Sequence, residues 1–174
     1  LILPDDANGL KFRVQNSEVL KAQMAALGGT PQPMAFSEVY GALQTGVVDG
    51  QENTWSNIYG KKFFEVQDGV TETNHGIIDY MLVTSTDWWD TLSSELREQL
   101  SEIIKEVTIS RNAESFQLNE NAKAEIISSG VIVRELTAEQ RSAWVKTMKP
   151  VWEQFRDDIG LHYIHAAQAI NNKH

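Results

Sequence analysis

The sequence predicts an α/β protein with a mixed or parallel sheet and helices packed on its faces. Over the first 84 residues, short apolar runs alternate with stretches whose apolar residues recur every three or four positions. Glycine or proline bounds most of these segments, as expected for short strands joined by helices. A long helical pattern then follows, and a chain of 174 residues is large enough to bury a substantial core.

The first elements are predicted by apolar spacing and by the residues that end them. Residues 10–14 form a short apolar run that predicts a strand, and residues 17–27 have helical spacing that stops at Gly28. Glycine is the preferred residue just beyond a helix C-terminus, because it adopts the left-handed conformation. The next predicted elements are an extended piece between Pro31 and Pro33, a helix over 37–46, a strand over 47–50, a helix over 54–64 and a strand over 77–84.

The second half of the chain is predicted to be mainly helical. Apolar residues spaced by threes and fours predict one helix over 93–128, which Gly130 ends. A brief strand over 131–134 follows, and Thr137 with Gln140 forms a capping box that opens another helix. That helix should bend or break near Pro150, since proline lacks the backbone N–H that an interior helical residue donates. A last helix is predicted over 159–170.

Composition excludes several classes of function. The formal net charge is −9 and the sequence pI is about 4.9, which argue against a nucleic-acid partner. The chain has no cysteine, so disulfides, thiolate zinc sites and cysteine nucleophiles are absent. No run approaches the roughly 20 apolar residues that a membrane-spanning helix needs. Because the chain is acidic overall, any anion that it binds must be held by local positive groups.

Arg13 is the first candidate for such a group. It lies near the end of a predicted strand and just before a predicted helix start at Asn16 and Ser17. Ligands of open α/β sheets bind outside the carboxyl ends of the strands. A guanidinium can clamp a carboxylate through two parallel hydrogen bonds, beside a helix N-terminus that favours anions. The alternative is a surface or structural arginine.

One continuous segment carries the most specific signal. Residues 33–57 read PMAFSEVYGALQTGVVDGQENTWSN, and three further stretches lie in order around them: GLKFRV at 9–14, KFFEVQ at 62–67 and TNH at 73–75. Together they closely resemble the signature of the TRAP-transporter solute-binding proteins of the DctP family. The QENTWSN variant, in which Trp55 stands where many relatives have proline, is most similar to the C4-dicarboxylate branch.

The resemblance implies an extracytoplasmic receptor with a periplasmic-binding-protein-like, two-lobed clamp fold. Such a receptor captures a small organic acid by hinge closure and delivers it to a sodium-coupled TRAP membrane permease, without bond chemistry and without a cofactor or metal. It implies a periplasmic protein whose signal peptide and N-terminal βαβ lobe precede Leu1, so that the chain is expected to be a fragment. Such a fragment is expected to self-associate or to pair with the missing N-terminal piece.

The family architecture also implies how the chain is divided. Residues 1–78 would form the first part of lobe II, and residues 119–174 its second part with the C-terminal helices. Residues 79–118 would belong to lobe I and include part of a long helix that crosses between the lobes. Periodicity alone cannot reveal these lobes.

The resemblance assigns ligand-binding roles to particular positions. Arg13 would anchor a carboxylate, and Asn53 would contact it, although Asn53 also suits a helix N-cap. Phe36 would form an aromatic wall against the carbon skeleton, or simply pack as a hydrophobic staple before a helix capped by Ser37. Tyr80 would line the pocket at a position that varies with substrate, or belong to the core.

Two weaker ligand-binding candidates and one alternative function remain. Trp55 and Asn16 are further ligand-binding candidates, with Asn16 favoured as a cap. The alternative is a small α/β enzyme, such as a lyase or isomerase, that anchors a carboxylate substrate on Arg13. Its base could come only from His75 or from the pair Asp49 and Glu52, and no nucleophile accompanies them.

Overall fold

The computed structural model describes residues 1–171. The five strands are β1 (Lys11–Val14), β2 (Thr30–Pro33), β3 (Gly50–Gln51), β4 (Gly69–Glu72) and β5 (Ile132–Glu135). The α-helices are α1 (Glu18–Ala26), α2 (Val39–Gln44), α3 (Trp55–Gly60), α4 (Thr86–Thr91), α5 (Ser94–Ser128), α6 (Ala138–Gln154), α7 (Arg156–Ile159) and α8 (Leu161–Asn171). Short 3₁₀ turns cover Pro4–Ala7, Phe36–Glu38 and Phe63–Val66.

The strands form two small parallel sheets. In the first, β1 lies between β2 and β3, with Arg13 opposite Gln32 on one side and Gln51 on the other. In the second, β4 pairs with β5, with Gly69 opposite Ile132. Parallel neighbours need crossover connections, which α1 provides between β1 and β2. The predicted combination of parallel strands and helices is confirmed.

The chain divides into two compact units. The first comprises residues 1–52, 61–73 and the chain from Val131 onward, and the second comprises residues 53–60 and 74–130. Both sheets therefore lie in the first unit, and most of the second unit consists of α3, α4 and α5. The assignment of 1–78, 79–118 and 119–174 to particular lobes stays a prediction.

The core of the first unit forms beneath β1 and α1. Phe12 and Val14 of β1 are buried with Met24 and Leu27 at the end of α1. Partly buried residues of α6 pack against this cluster, including Trp144, whose indole N–H donates to the carbonyl of Ile2 at 2.8 Å. Helix α6 thus contributes to the core of the first unit.

Helices α1 and α5 end at the predicted glycines and begin at serine caps. The Ser17 hydroxyl accepts from the backbone N–H of Leu20 at the start of α1, and Gly28 beyond its end has φ 74°. Ser93 caps the first turn of α5 in the same way, and Gly130 with φ 88° follows that helix. The long uninterrupted helix predicted from the apolar spacing is confirmed.

The predicted strand over 77–84 is wrong. These residues belong to no helix or strand, and no strand among residues 1–171 pairs with them. A strand depends on a partner for its backbone hydrogen bonds, whatever its intrinsic propensity. Met81 is 86% exposed and Val83 is 78% exposed, so the apolar side chains of this segment are not buried either.

Other departures are local. The helix predicted over 54–64 is split after Gly60, because Lys62 adopts a left-handed conformation with φ 58° before the next 3₁₀ turn. The strand predicted over 47–50 is displaced to Gly50–Gln51. Pro150 lies inside α6 without ending it, as Val151 is buried and Met148 packs against the core on the same side. Strand β4 was not predicted, because its four residues contain only one large apolar side chain.

Candidate functional site

Arg13 is a charged side chain placed inside the protein. It lies in β1, the central strand of the first sheet, and is only 3% exposed. Among residues 1–170 it is the single polar or charged residue that is buried. A buried charge is costly unless other groups compensate it. The buried position of Arg13 therefore indicates a structural or ligand-binding role.

Most of the Arg13 guanidinium is held by one backbone group. Nε donates to the carbonyl oxygen of Met34 at 3.0 Å, and Nη2 donates to the same oxygen at 2.9 Å. Nη1 is buried and has no hydrogen-bond partner among residues 1–171. Burial lowers the pKa of Arg13 from its ordinary value, and the negative charge of Glu52 opposes that shift. Arginine stays cationic through such a shift, so the site keeps a fixed positive charge.

A groove adjoins this guanidinium. Its volume is about 460 Å³, and it is lined by Arg13, Gln15, Asn16, Pro33, Met34 and Ala35. The lining lies at the carboxyl ends of β1 and β2 and just before α1. Asn16 is exposed and does not cap α1, because Ser17 does so. The interpretation of Asn16 as a cap is therefore wrong, and its place in the lining leaves it available to a ligand.

Phe36 packs against the same guanidinium. Its ring centroid lies 5.7 Å from Cζ of Arg13 and 5.8 Å from Nζ of Lys61. The ring also meets the buried Phe63 edge to face at 5.6 Å. Phe36 begins a 3₁₀ turn after Ala35, so the cap expected from Ser37 is not formed. The Phe36 ring thus contacts both the Arg13 guanidinium and the buried Phe63.

A second group of candidates lies in the second unit. Asn57 of α3 donates through Nδ2 to Oδ1 of Asn53 at 2.6 Å and to the hydroxyl of Tyr80 at 3.1 Å. Tyr80 is 79% exposed, so its interpretation as a core tyrosine is wrong. Asn57 was missed from sequence, although its spacing of four residues from Asn53 could have indicated it.

Trp55 lies in the first turn of α3, where α5 holds the helix in place. The Nζ of Lys123 is 5.6 Å from the Trp55 ring centroid, within the range of a cation–π contact. The Oδ1 of Asn119 accepts from the backbone N–H of Ser56 at 3.1 Å. This bond satisfies a donor that a helix N-terminus leaves without an intrahelical partner.

The structure thus presents the predicted residues as two groups. Arg13, Asn16 and Phe36 lie in the first unit, whereas Asn53, Trp55 and Tyr80 lie in the second. Within residues 1–171, no group of three His, Cys, Asp or Glu side chains is arranged to hold a metal ion. The same residues include no helix that is both long and apolar enough to cross a membrane.

The fold is that of solute-binding proteins of the TRAP periplasmic type. A crystal structure of such a protein from Shewanella oneidensis, with bound succinate, matches at a TM-score of 0.94 and 44% identity, covering 98% of this chain and 56% of that one. Another from Pseudomonas aeruginosa, with bound L-malate, matches at a TM-score of 0.85 and 43% identity, covering 88% and 54%. The periplasmic-binding-protein-like fold class expected from the resemblance is therefore confirmed.

The chain belongs to family 7 of the bacterial extracellular solute-binding proteins, the DctP family, whose profile matches residues 1–158. The C4-dicarboxylate-binding periplasmic protein DctP of Vibrio cholerae is 59% identical over 173 residues. That match covers 99% of this chain and 52% of the relative. The chain thus spans about half the length of the curated relatives it matches.

Proposed function

We propose that this chain is part of the extracytoplasmic receptor of a TRAP transporter, which binds a small C4-dicarboxylate and delivers it to a sodium-coupled membrane permease. The observation that carries the proposal is the buried Arg13, with one guanidinium nitrogen left without a protein partner beside a groove. Family membership and the dicarboxylates bound by similar structures support it. The periplasm is the proposed location, as the names of the relatives indicate for those proteins.

Arg13 is proposed to receive one carboxylate through the end of its guanidinium. The Met34 carbonyl occupies Nε and one donor of Nη2, so Nη1 and the second N–H of Nη2 form the remaining pair of donors. Two parallel N–H groups match the two oxygens of a carboxylate. Because the guanidinium is desolvated, each of these bonds is stronger than it would be in water.

Further ligand-binding roles are proposed from the family resemblance. Phe36 would place its ring against the carbon skeleton of the acid while it supports Arg13, and Asn16 would contribute an amide from the groove lining. Asn53, Tyr80 and Trp55 of the second unit are proposed as ligand contacts as well. An amide can donate to a carboxylate and accept from a hydroxyl, which suits a substituted organic acid.

The receptor is proposed to act without bond chemistry and without a cofactor. Its ligand would shift the equilibrium toward a closed clamp by binding that state more tightly. The alternative of a carboxylate-processing enzyme is tested by incubating the protein with each bound acid and following the acid by NMR. Any change in the acid that depends on the protein would contradict the receptor proposal.

The ligand class is tested by calorimetric titration of the longest natural form of the protein. Succinate, malate and fumarate should give binding heat, whereas sialic acid, uronates and aromatic acids should not. At a ligand concentration 100 times the Kd, thermal unfolding should show about 2.7 kcal/mol of added stability. Heat from a sugar acid or monocarboxylate alone would contradict the dicarboxylate assignment and leave the receptor class intact.

A further inference from the structure

Asn57 occupies the centre of a network of hydrogen-bonded side chains. Its Nδ2 donates one hydrogen bond to Oδ1 of Asn53 at 2.6 Å and another to the hydroxyl of Tyr80 at 3.1 Å. An asparagine amino group carries two hydrogens, so these contacts use both of its donors. All three residues belong to the second unit.

The shorter bond defines the orientation of the Asn53 side chain. The two ends of an asparagine amide are alike in shape but opposite in hydrogen bonding, since the oxygen accepts and the amino group donates. Because Asn57 presents N–H to Asn53, the Asn53 oxygen must turn toward Asn57. The amino group of Asn53 then points the other way, as a donor.

That orientation matters to an anion more than to a neutral ligand. A carboxylate only accepts hydrogen bonds, so it is attracted by an amino group and repelled by an amide oxygen. We propose that Asn57 is a positioning residue, which holds the Asn53 amide with its amino group toward a bound carboxylate. This inference rests on the proposed function, which makes Asn53 a ligand contact.

The helix that carries Asn57 is itself held firmly. The backbone N–H of Ser56 is bound by Asn119 of α5 at 3.1 Å, and the neighbouring Trp55 ring lies 5.6 Å from Nζ of Lys123. Ile58, the next residue after Asn57, is buried. A fixed helix gives Asn57 one position from which to orient Asn53. The largely exposed Tyr80 hydroxyl accepts from Nδ2 of Asn57 at 3.1 Å and donates to Oδ1 of Asn57 at 3.5 Å.

A double-mutant cycle on succinate affinity tests the role. Asn57→Leu keeps the approximate size of the side chain but removes the donors, and Asn53→Ala removes the group that Asn57 is proposed to orient. Asn57→Leu should weaken succinate binding at least fivefold in the wild-type background and less than twofold in the Asn53→Ala background. A residue that acts only through another shows this loss of effect.

Controls separate positioning from general damage. The same change at the exposed Asn112 of α5, Asn112→Leu, should leave succinate affinity within twofold of wild type. If Asn57→Leu lowers the melting temperature of the ligand-free protein, the double-mutant cycle is measured with Asn57→Ala instead.

Two outcomes overturn the inference in different ways. Equal losses from the Asn57 substitution in both backgrounds would mean that Asn57 acts independently of Asn53, and the positioning role would be wrong while the receptor proposal stood. A wild-type protein that binds no carboxylic acid would overturn both this inference and the proposed function. Titration of the wild type therefore comes first.

Discussion

At the scale of single residues, the site depends on how Arg13 is held. The guanidinium lies in the central strand of a parallel sheet, and the Met34 carbonyl and the Phe36 ring fix it from neighbouring chain segments. An unsatisfied buried donor such as its Nη1 costs about 1–3 kcal/mol. A ligand carboxylate that takes up this donor would recover that cost on binding, which favours the bound state.

We expect Arg13→Ala to weaken dicarboxylate binding at least tenfold. Charge-assisted hydrogen bonds contribute roughly 1.5–3 kcal/mol each, and the substitution removes both that the carboxylate would receive. Arg13→Lys should not restore the affinity, because an ammonium cannot reproduce the planar pair of donors. Isothermal titration calorimetry on folded protein measures both effects.

The matched control for Arg13 is an exposed arginine outside the site. Arg156→Lys and Arg156→Ala should leave affinity unchanged, since the Arg156 side chain is 52% exposed and pairs with Glu153 and Asp157. Wild-type affinity in Arg13→Lys would indicate that Arg13 acts as a point charge. Unchanged affinity in both Arg13 variants would remove it from the site.

At the scale of elements, two glycines show how conformation decides the effect of the same substitution. Gly28 follows α1 with φ 74°, and a Cβ there would lie 2.8 Å from Oδ1 of Asn8. Gly41 lies inside α2, and a Cβ there would meet no atom within 4 Å. The first position requires glycine, whereas the second only tolerates it.

Gly28→Ala should therefore destabilise the protein, and Gly41→Ala should stabilise it. The left-handed conformation costs a residue with a Cβ about 1–2 kcal/mol, before any displacement of Asn8. An alanine in a helix interior is favoured over glycine by about 0.5–1 kcal/mol. Urea unfolding of the two variants beside wild type measures both signs, and shifts of the same sign would contradict the conformational argument.

At the scale of the whole molecule, the second unit exposes an unusual amount of apolar surface. Its side chains that are more than half exposed include Ile77, Met81, Leu82, Val83, Ile103, Val107 and Phe116. Large contiguous apolar patches on soluble proteins mark surfaces that another chain or segment covers.

We expect the 174-residue chain to self-associate when it is expressed alone. When a complementary N-terminal piece is present, we expect the chain to pair with that piece. Multi-angle light scattering should give a mass above the 19.6 kDa of one chain. Met81→Lys and Val83→Lys should reduce association. Val47→Lys should not, since Val47 lies in the first unit, where it is 54% exposed. A clean monomer that binds dicarboxylate as tightly as the longest natural form would contradict this expectation.

The sequence by itself determined the features whose signals are local. Gly28 follows the end of α1, Gly130 follows the end of α5, and the capping box at Thr137 opens α6, as expected. Each of these depends on hydrogen bonds within one turn of helix, so nearby residues suffice to predict it. The motif over residues 33–57 likewise identified the family from a continuous stretch, and the GLKFRV stretch at 9–14 identified Arg13 as a candidate.

Only the tertiary structure decided the features whose partners are distant in the chain. The segment 77–84 has strong strand propensity but no partner among the described residues, whereas the weakly apolar β4 is a strand because it pairs with β5, some sixty residues later. The hydrogen bond from Arg13 to the Met34 carbonyl and the contact between Asn57 and Tyr80 also join residues that are distant in the chain. Such contacts depend on which segments the folded chain brings together, and local propensity carries no information about that.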